Sequence, residues 1–164
     1  MRDIWRALGV ATTIALVFPP SMALAANSQR CSFSVNFEQK FKLMTCPPEA
    51  PAGFTCLDVT GKAKSAALGT LTFERMVLFD LRKFDKLHPT CIPDETSGTL
   101  VLPGGNLKFR APGSVCLADG SASYGLIITS GTGAYQELVG GGRITVPPQT
   151  TPGNGHELWQ VELF

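Results

Sequence analysis

Four polar residues stand where an alternating pattern calls for apolar ones, and they are this chain's candidates for chemistry: Gln39, Arg75, Tyr124 and Glu157. Each interrupts a row of Phe, Val, Leu or Ile residues spaced two apart, and Glu157 shares its row with Trp159. If those rows point into a core, an arginine and a carboxylate enter an apolar interior, where a charge must be paired or bridged by water. A few polar groups in an apolar concavity are also how small-molecule sites are built. Three readings stay open on the residues alone. Gln39, Arg75, Tyr124, Glu157 and Trp159 line a ligand cavity; Arg75 and Glu157 form a structural pair; or a bulge turns Arg75 to solvent.

Better-known catalytic patterns do not fit. The glycine-rich stretch "SGTGAYQELVGGGRITV" (Ser130–Val146) follows an apolar run, as a dinucleotide loop would, but Gln136 stands in the place of the third glycine. It also leaves no room for the helix whose N-terminus would hold a phosphate. The nucleophile elbow G-x-S-x-G is absent, "SASYG" lacking its first glycine. The two histidines, His88 and His156, both lie beside loop signals, which argues against a hydrolase triad. Glu74 and Asp80 share a strand face, yet six residues of extended chain put them ~20 Å apart. They read as solvated surface charges. With no C-x-x-C and no histidine partner at ligand spacing, neither a metal site nor a cofactor is expected.

The elements that must carry these residues have a period of two. In "SFSVNFEQKFKLM", Phe33, Val35, Phe37, Gln39, Phe41 and Leu43 fall on one face and Ser, Asn, Glu and Lys on the other. "TLTFERMVLFDL" aligns Leu71, Phe73, Arg75, Val77, Phe79 and Leu81. Shorter strands follow: "TLVL", a Pro-Gly-Gly-Asn turn, "LKFRA", "ASYGLIIT", "GRITV" and "ELWQVELF". With "FTCLDVTGKA" they make about eight strands, and most of the 12 prolines and 17 glycines fall between them. The fold class is therefore all-β, with about eight antiparallel strands. Apolar faces on nearly every strand favour a closed or nearly closed β-barrel, since closure removes exposed edges. Eight strands enclose just enough space for side chains or one small ligand.

The ends and the cysteines set the address. "MRDIWR", an apolar run from Ala7 to Phe18, the Pro19-Pro20 break and "ALA" at 23–25 compose a secretory signal peptide over residues 1–25. Its twelve apolar residues fall short of the ~20 that span a bilayer. A single barrel domain over residues 26–164 is expected, secreted to an extracellular or periplasmic space, with no membrane anchor after processing. Of 14 basic and 13 acidic residues, the leader holds Arg2, Arg6 and Asp3, so the remainder is balanced at twelve of each. That balance offers no basic footprint for nucleic acid. Export makes disulfides plausible for the five cysteines. The pairings expected are Cys46–Cys56, closing "PPEAPAGFT", and Cys91–Cys116, tying a long loop to a strand end, with Cys31 left over.

The glycine stretch then acquires a different meaning. "IITSGTGAYQELVGGGRITV" resembles the glycine corner of the allene oxide cyclase/dirigent-like β-barrels, through Gly131, Thr132, Gly133, Tyr135, Gly140 and Gly142. Ser130 departs from that pattern, where a glycine is usual, and Leu138-Val139 replaces smaller residues. The resemblance implies a barrel in which these glycines form a corner pinned by Tyr135. It transfers no catalytic residue. Three roles follow for the chain: a secreted barrel binding a small apolar or aromatic molecule or acting as a stable extracellular module, a cyclase or isomerase moulding a substrate in the barrel, or a protein–protein interaction module.

Overall fold

The computed structural model describes residues 30–83, 90–151 and 153–164. The expected leader over residues 1–25, and His88, lie outside them. Eight strands follow in chain order: β1 (Cys31–Met44), β2 (Thr55–Ser65), β3 (Gly69–Phe79), β4 (Cys91–Leu102), β5 (Gly105–Cys116), β6 (Ala122–Gly131), β7 (Gly140–Val146) and β8 (Asn154–Leu163). Each pairs antiparallel with the next, and β8 returns to β1, closing the barrel. Closure is what the two-residue alternation dictates. Every strand has one apolar face, and a closed sheet turns all of them inward while leaving no exposed edge. Outward positions on β1 are Ser32, Ser34, Asn36, Glu38, Lys40 and Lys42, so this wall faces water.

The strands run between two unlike ends. One carries the ends of β1, β3, β5 and β7, the starts of β2, β4, β6 and β8, and both disulfides, Cys46–Cys56 and Cys91–Cys116. We call this end the mouth. The opposite end carries the turns at 66–68 and 103–104, the glycine corner, and the exposed Cys31 at the start of β1. Both disulfides join the expected partners. Cys91 is however the first residue of β4, paired in register with Cys116 at the end of β5, and not part of a loop.

The expected strand faces hold at their centres and fail at their tips. Phe37, Leu71, Phe73, Val77, Leu107, Phe109, Tyr124, Leu126, Ile144, Trp159, Val161 and Leu163 all point inward and are buried. Leu43 is 74% exposed and Leu81 45%, because both lie at or past the strand ends, where the barrel has no interior left to enter. Asp80 is buried rather than solvated: Arg82 donates to it through Nε at 2.8 Å and Nη2 at 2.9 Å, which holds its carboxyl well below the usual range, at about 2. The largest correction is β4. The sequence marks only Thr99–Leu102, but the strand begins at Cys91 and carries Asp94 and Thr96 inward.

On the side of the closed end, Phe37, Phe73, Phe109 and Trp159 pack across the interior above the buried Leu71, Leu102, Leu107 and Leu163. Their ring centroids stand 5.0–5.4 Å apart in edge-on, tilted and stacked pairs. Such pairs contribute about 0.5–1.5 kcal/mol each beyond the area they bury. A one-residue bulge at Thr129 sits where Lys108 pairs with Ser130 but Phe109 pairs with Ile128.

The glycine corner follows. A short 3-10 turn, Gly133–Tyr135, folds against the β4–β5 turn. Ala134 N–H donates to Gly104 O at 2.9 Å, and Tyr135 Oη–H donates to Pro103 O at 3.0 Å. Tyr135 thus pins the corner by a hydrogen bond as well as by packing. Gly133 has φ +59°, and a Cβ there would meet Gly104 O at 2.1 Å. Gly133→Ala therefore combines left-handed strain with a backbone collision. We expect a loss of about 1–3 kcal/mol in urea unfolding; an unchanged midpoint would show that the corner is not held this way.

Candidate functional site

Above the aromatic cluster the interior turns polar. Arg75 on β3 and Glu157 on β8 face each other across the barrel, although their strands are not neighbours. Arg75 Nη2 donates to Glu157 Oε2 at 2.7 Å, and Trp159 Nε1–H donates to Glu157 Oε1 at 2.7 Å. Both charged side chains are almost wholly buried, at 3% and 0% exposure. Burial pushes the Glu157 carboxyl up, opposed by the Arg75 charge and the Trp159 hydrogen bond. The guanidinium carbon also lies 5.0 Å from the Tyr124 ring centroid and 5.6 Å from that of Phe73, within cation–π range. Of the open readings, the pair is present and the bulge that would turn Arg75 outward is not.

The pair leaves part of Arg75 unspent. Its Nε–H and Nη1–H groups are buried with no hydrogen-bond partner among the described residues. Beside it, Tyr124 Oη–H donates to Asp94 Oδ2 at 3.0 Å, while Asp94 Oδ1 has no partner there. Burial raises the Asp94 carboxyl to about 6, against the pull of the Tyr124 hydrogen bond and the Arg75 charge. Burial likewise raises the Tyr124 phenol, which keeps it a proton donor.

A cavity of about 170 Å³ opens from this floor to the mouth. Its walls are apolar, built from Phe41, Leu57, Val77, Phe79, Ala122 and Val146. Its polar lining comes from Gln39, Arg75, Tyr124 and, on the β7–β8 connection, Gln149. The structure thus brings Gln39, Arg75 and Tyr124 to one surface, and places Glu157 and Trp159 behind them as supports. Leu43, Met44, Leu81 and Leu117 are exposed apolar residues at this same end. A larger groove of about 730 Å³ runs over the outer wall between Lys40, Lys62, Pro148 and His156. It lacks enclosed apolar walls and buried polar groups, so size alone does not make it the better candidate. His156 is exposed there, in register with Glu38 on the outer face of the barrel.

Asp94 is the residue that the sequence did not reveal. The inward phase of Leu100 and Leu102, continued backwards in steps of two, reaches Gly98, Thr96, Asp94 and Ile92. The polar composition of "PDETSG" conceals that continuation.

Neither a protein family nor a curated protein matches this sequence. Solved structures do. A pyocyanin demethylase is 15% identical with a TM-score of 0.53, over 82% of this chain and 100% of its own. Two pterocarpan synthase dirigent proteins follow, at 10% and 12% identity with TM-scores of 0.52 and 0.51. They cover 84% and 93% of this chain and 96% and 98% of theirs. At such identities the likeness is one of fold: the chain has the dirigent-like barrel that its glycine corner implies.

Two outcomes check the energetics. Glu157→Leu strands a buried guanidinium and should cost about 3–5 kcal/mol in denaturant unfolding, whereas Arg75→Met combined with Glu157→Leu should recover most of that loss. A double variant as unstable as the single one would contradict a self-contained pair. Asp94 supplies the second. Its folded value of about 6 lies above its ordinary 3.8, so the folded state favours the protonated form. Its contribution is full below about pH 4 and is lost as pH rises through about 6, a change of roughly 3 kcal/mol. Glu157 is shifted in the same direction. Asp94→Asn keeps an acceptor for Tyr124 and removes the titration. The wild-type-minus-variant stability difference should therefore fall between pH 4 and pH 7; a flat difference would show that Asp94 does not titrate in this window.

Proposed function

We propose that this chain is an exported β-barrel that holds one small apolar or aromatic molecule in the open half of its interior. The observation that carries this reading is the half-filled barrel. Four aromatic side chains close one half, and an apolar cavity with a polar floor occupies the other. A volume of about 170 Å³ suits a single ring: a dry apolar cavity of ~150 Å³ takes up benzene, while drug-sized ligands need roughly 300 Å³ or more. Export is supported by the two disulfides, which persist in oxidising compartments. The similar barrels are named for work on organic molecules, pyocyanin in one case and pterocarpans in two. That supports a small-molecule role over a purely structural one.

A second reading, a cyclase or isomerase, draws on one specific observation. A phenol facing the cavity is hydrogen-bonded to a buried carboxyl whose proton exchanges near pH 6. Such a pair suits proton transfer to or from a reacting group. Binding comes first in either case. Titration with toluene should shift the methyl resonances of Val77, Ala122 and Val146 at the mouth and spare Leu163 at the closed end. Ala122→Leu fills the cavity and should weaken that binding by ~10-fold or more. Saturable shifts confined to the outer wall, or none at all, would sink the reading.

A further inference from the structure

The floor of the cavity has a charge balance that says which molecules it accepts. Among the described residues lining it, Arg75 is the one cation: Glu157 of β8 pairs with it, the ring of Tyr124 of β6 lies against it, and the Asp94 carboxyl of β4, bonded to Tyr124, adds a second negative charge nearby. Gln39 of β1 lines the same cavity without charge. The guanidinium is thus paired with one carboxyl, Glu157, and lies in the field of a second, Asp94. It nonetheless keeps two N–H groups, on Nε and Nη1, that are buried without a partner among the described residues. An unpaired buried donor is costly, and a hydrogen bond to a charged donor is among the stronger ones. A ligand oxygen that accepts from Arg75 removes the first cost and makes the second bond. A ligand that is itself anionic adds a third negative charge to a space walled by Phe41, Leu57, Val77 and Phe79. Carboxylates sharing a site repel, and desolvation penalises each of them further.

We propose that the cavity selects a neutral ring compound carrying one carbonyl-type oxygen, which accepts a hydrogen bond from Arg75, and that it rejects the corresponding carboxylate. Arg75 is then the specificity-determining residue, with Glu157 and Asp94 fixing its net field rather than touching the ligand. This rests on the binding reading above and adds the ligand's chemical class to it. Ring size follows from the cavity volume, the acceptor oxygen from the unpaired N–H groups, and neutrality from the two carboxyls already present.

Three probes of nearly equal shape separate the terms: ethylbenzene, acetophenone and benzoate, titrated at pH 7.5 and followed by the same methyl resonances. Acetophenone should bind about tenfold or more tightly than ethylbenzene, the increment expected of one hydrogen bond to a charged donor. Benzoate should bind at least about tenfold more weakly than acetophenone. The variant Arg75→Met with Glu157→Leu and Asp94→Asn removes the pair without stranding a charge. It should still bind ethylbenzene and should lose the preference for acetophenone. Equal affinity of the wild type for ethylbenzene and acetophenone would overturn the proposal, and so would benzoate binding as tightly as acetophenone. Both results leave the cavity reading standing, because ethylbenzene still enters. Failure of all three probes would instead remove the cavity reading and this proposal with it.

Discussion

One ion pair sets the terms for the interior of this protein. Arg75 and Glu157 meet at the centre of a closed barrel, on strands separated by others on both sides. Withdrawing two charges from water is repaid only by close geometry and by satisfying the remaining polar atoms. Glu157 meets that condition fully, with Arg75 on one oxygen and Trp159 on the other. Arg75 meets it in part. The asymmetry divides the barrel. Below the pair, aromatic rings pack against one another; above it, an incompletely satisfied guanidinium looks out into apolar space.

The scaffold serves that division. Eight strands enclose a fixed width, so the interior is filled or left open according to side-chain size alone. Four large rings, with Leu71, Leu100, Leu107 and Leu163, close one half. Toward the mouth the inward residues include the smaller Val77, Ala122 and Val146 beside Phe41 and Phe79, and the cavity lies among them. The pairing of Cys91 with Cys116, and of Cys46 with Cys56, ties strand ends together where the side-chain plug no longer does. Packing thus holds one end and covalent links reinforce the other.

Much of this was legible in the residues. A closed barrel imposes a strict period of two, and Phe37, Phe73, Arg75, Tyr124, Glu157 and Trp159 keep it, so the alternation pointed all six inward, with a bulge at Arg75 left open until the structure showed the residue buried. The disulfide pairings were legible, Cys46 and Cys56 because they flank a short loop and Cys91 and Cys116 as a loop tied to a strand end, although Cys91 itself starts a strand. The pairing of Arg75 with Glu157 could only stand among alternatives. Contact across a barrel depends on which strands oppose each other, and alternation along a single strand carries no such information. Asp94 stayed hidden for a different reason. Its strand begins with "CIPDETSG", where Pro93 and a run of polar residues imitate a loop. Burial there follows from the pairing of β4 with β3 and β5, which overrides local composition. Leu43 and Leu81 show the converse error: the pattern continues past the point where there is an interior to face.

The placement of Cys31 has a practical side. It is exposed at the start of β1, the full length of the barrel away from the mouth, and the other four cysteines are consumed in disulfides. A molecule attached through that thiol to a bead, an electrode or a fluorophore would be held in one orientation. Its closed end would face the support and its open end the solution. The chain thus carries its own attachment point for single-molecule or sensor work, at a position where a linker does not reach the cavity.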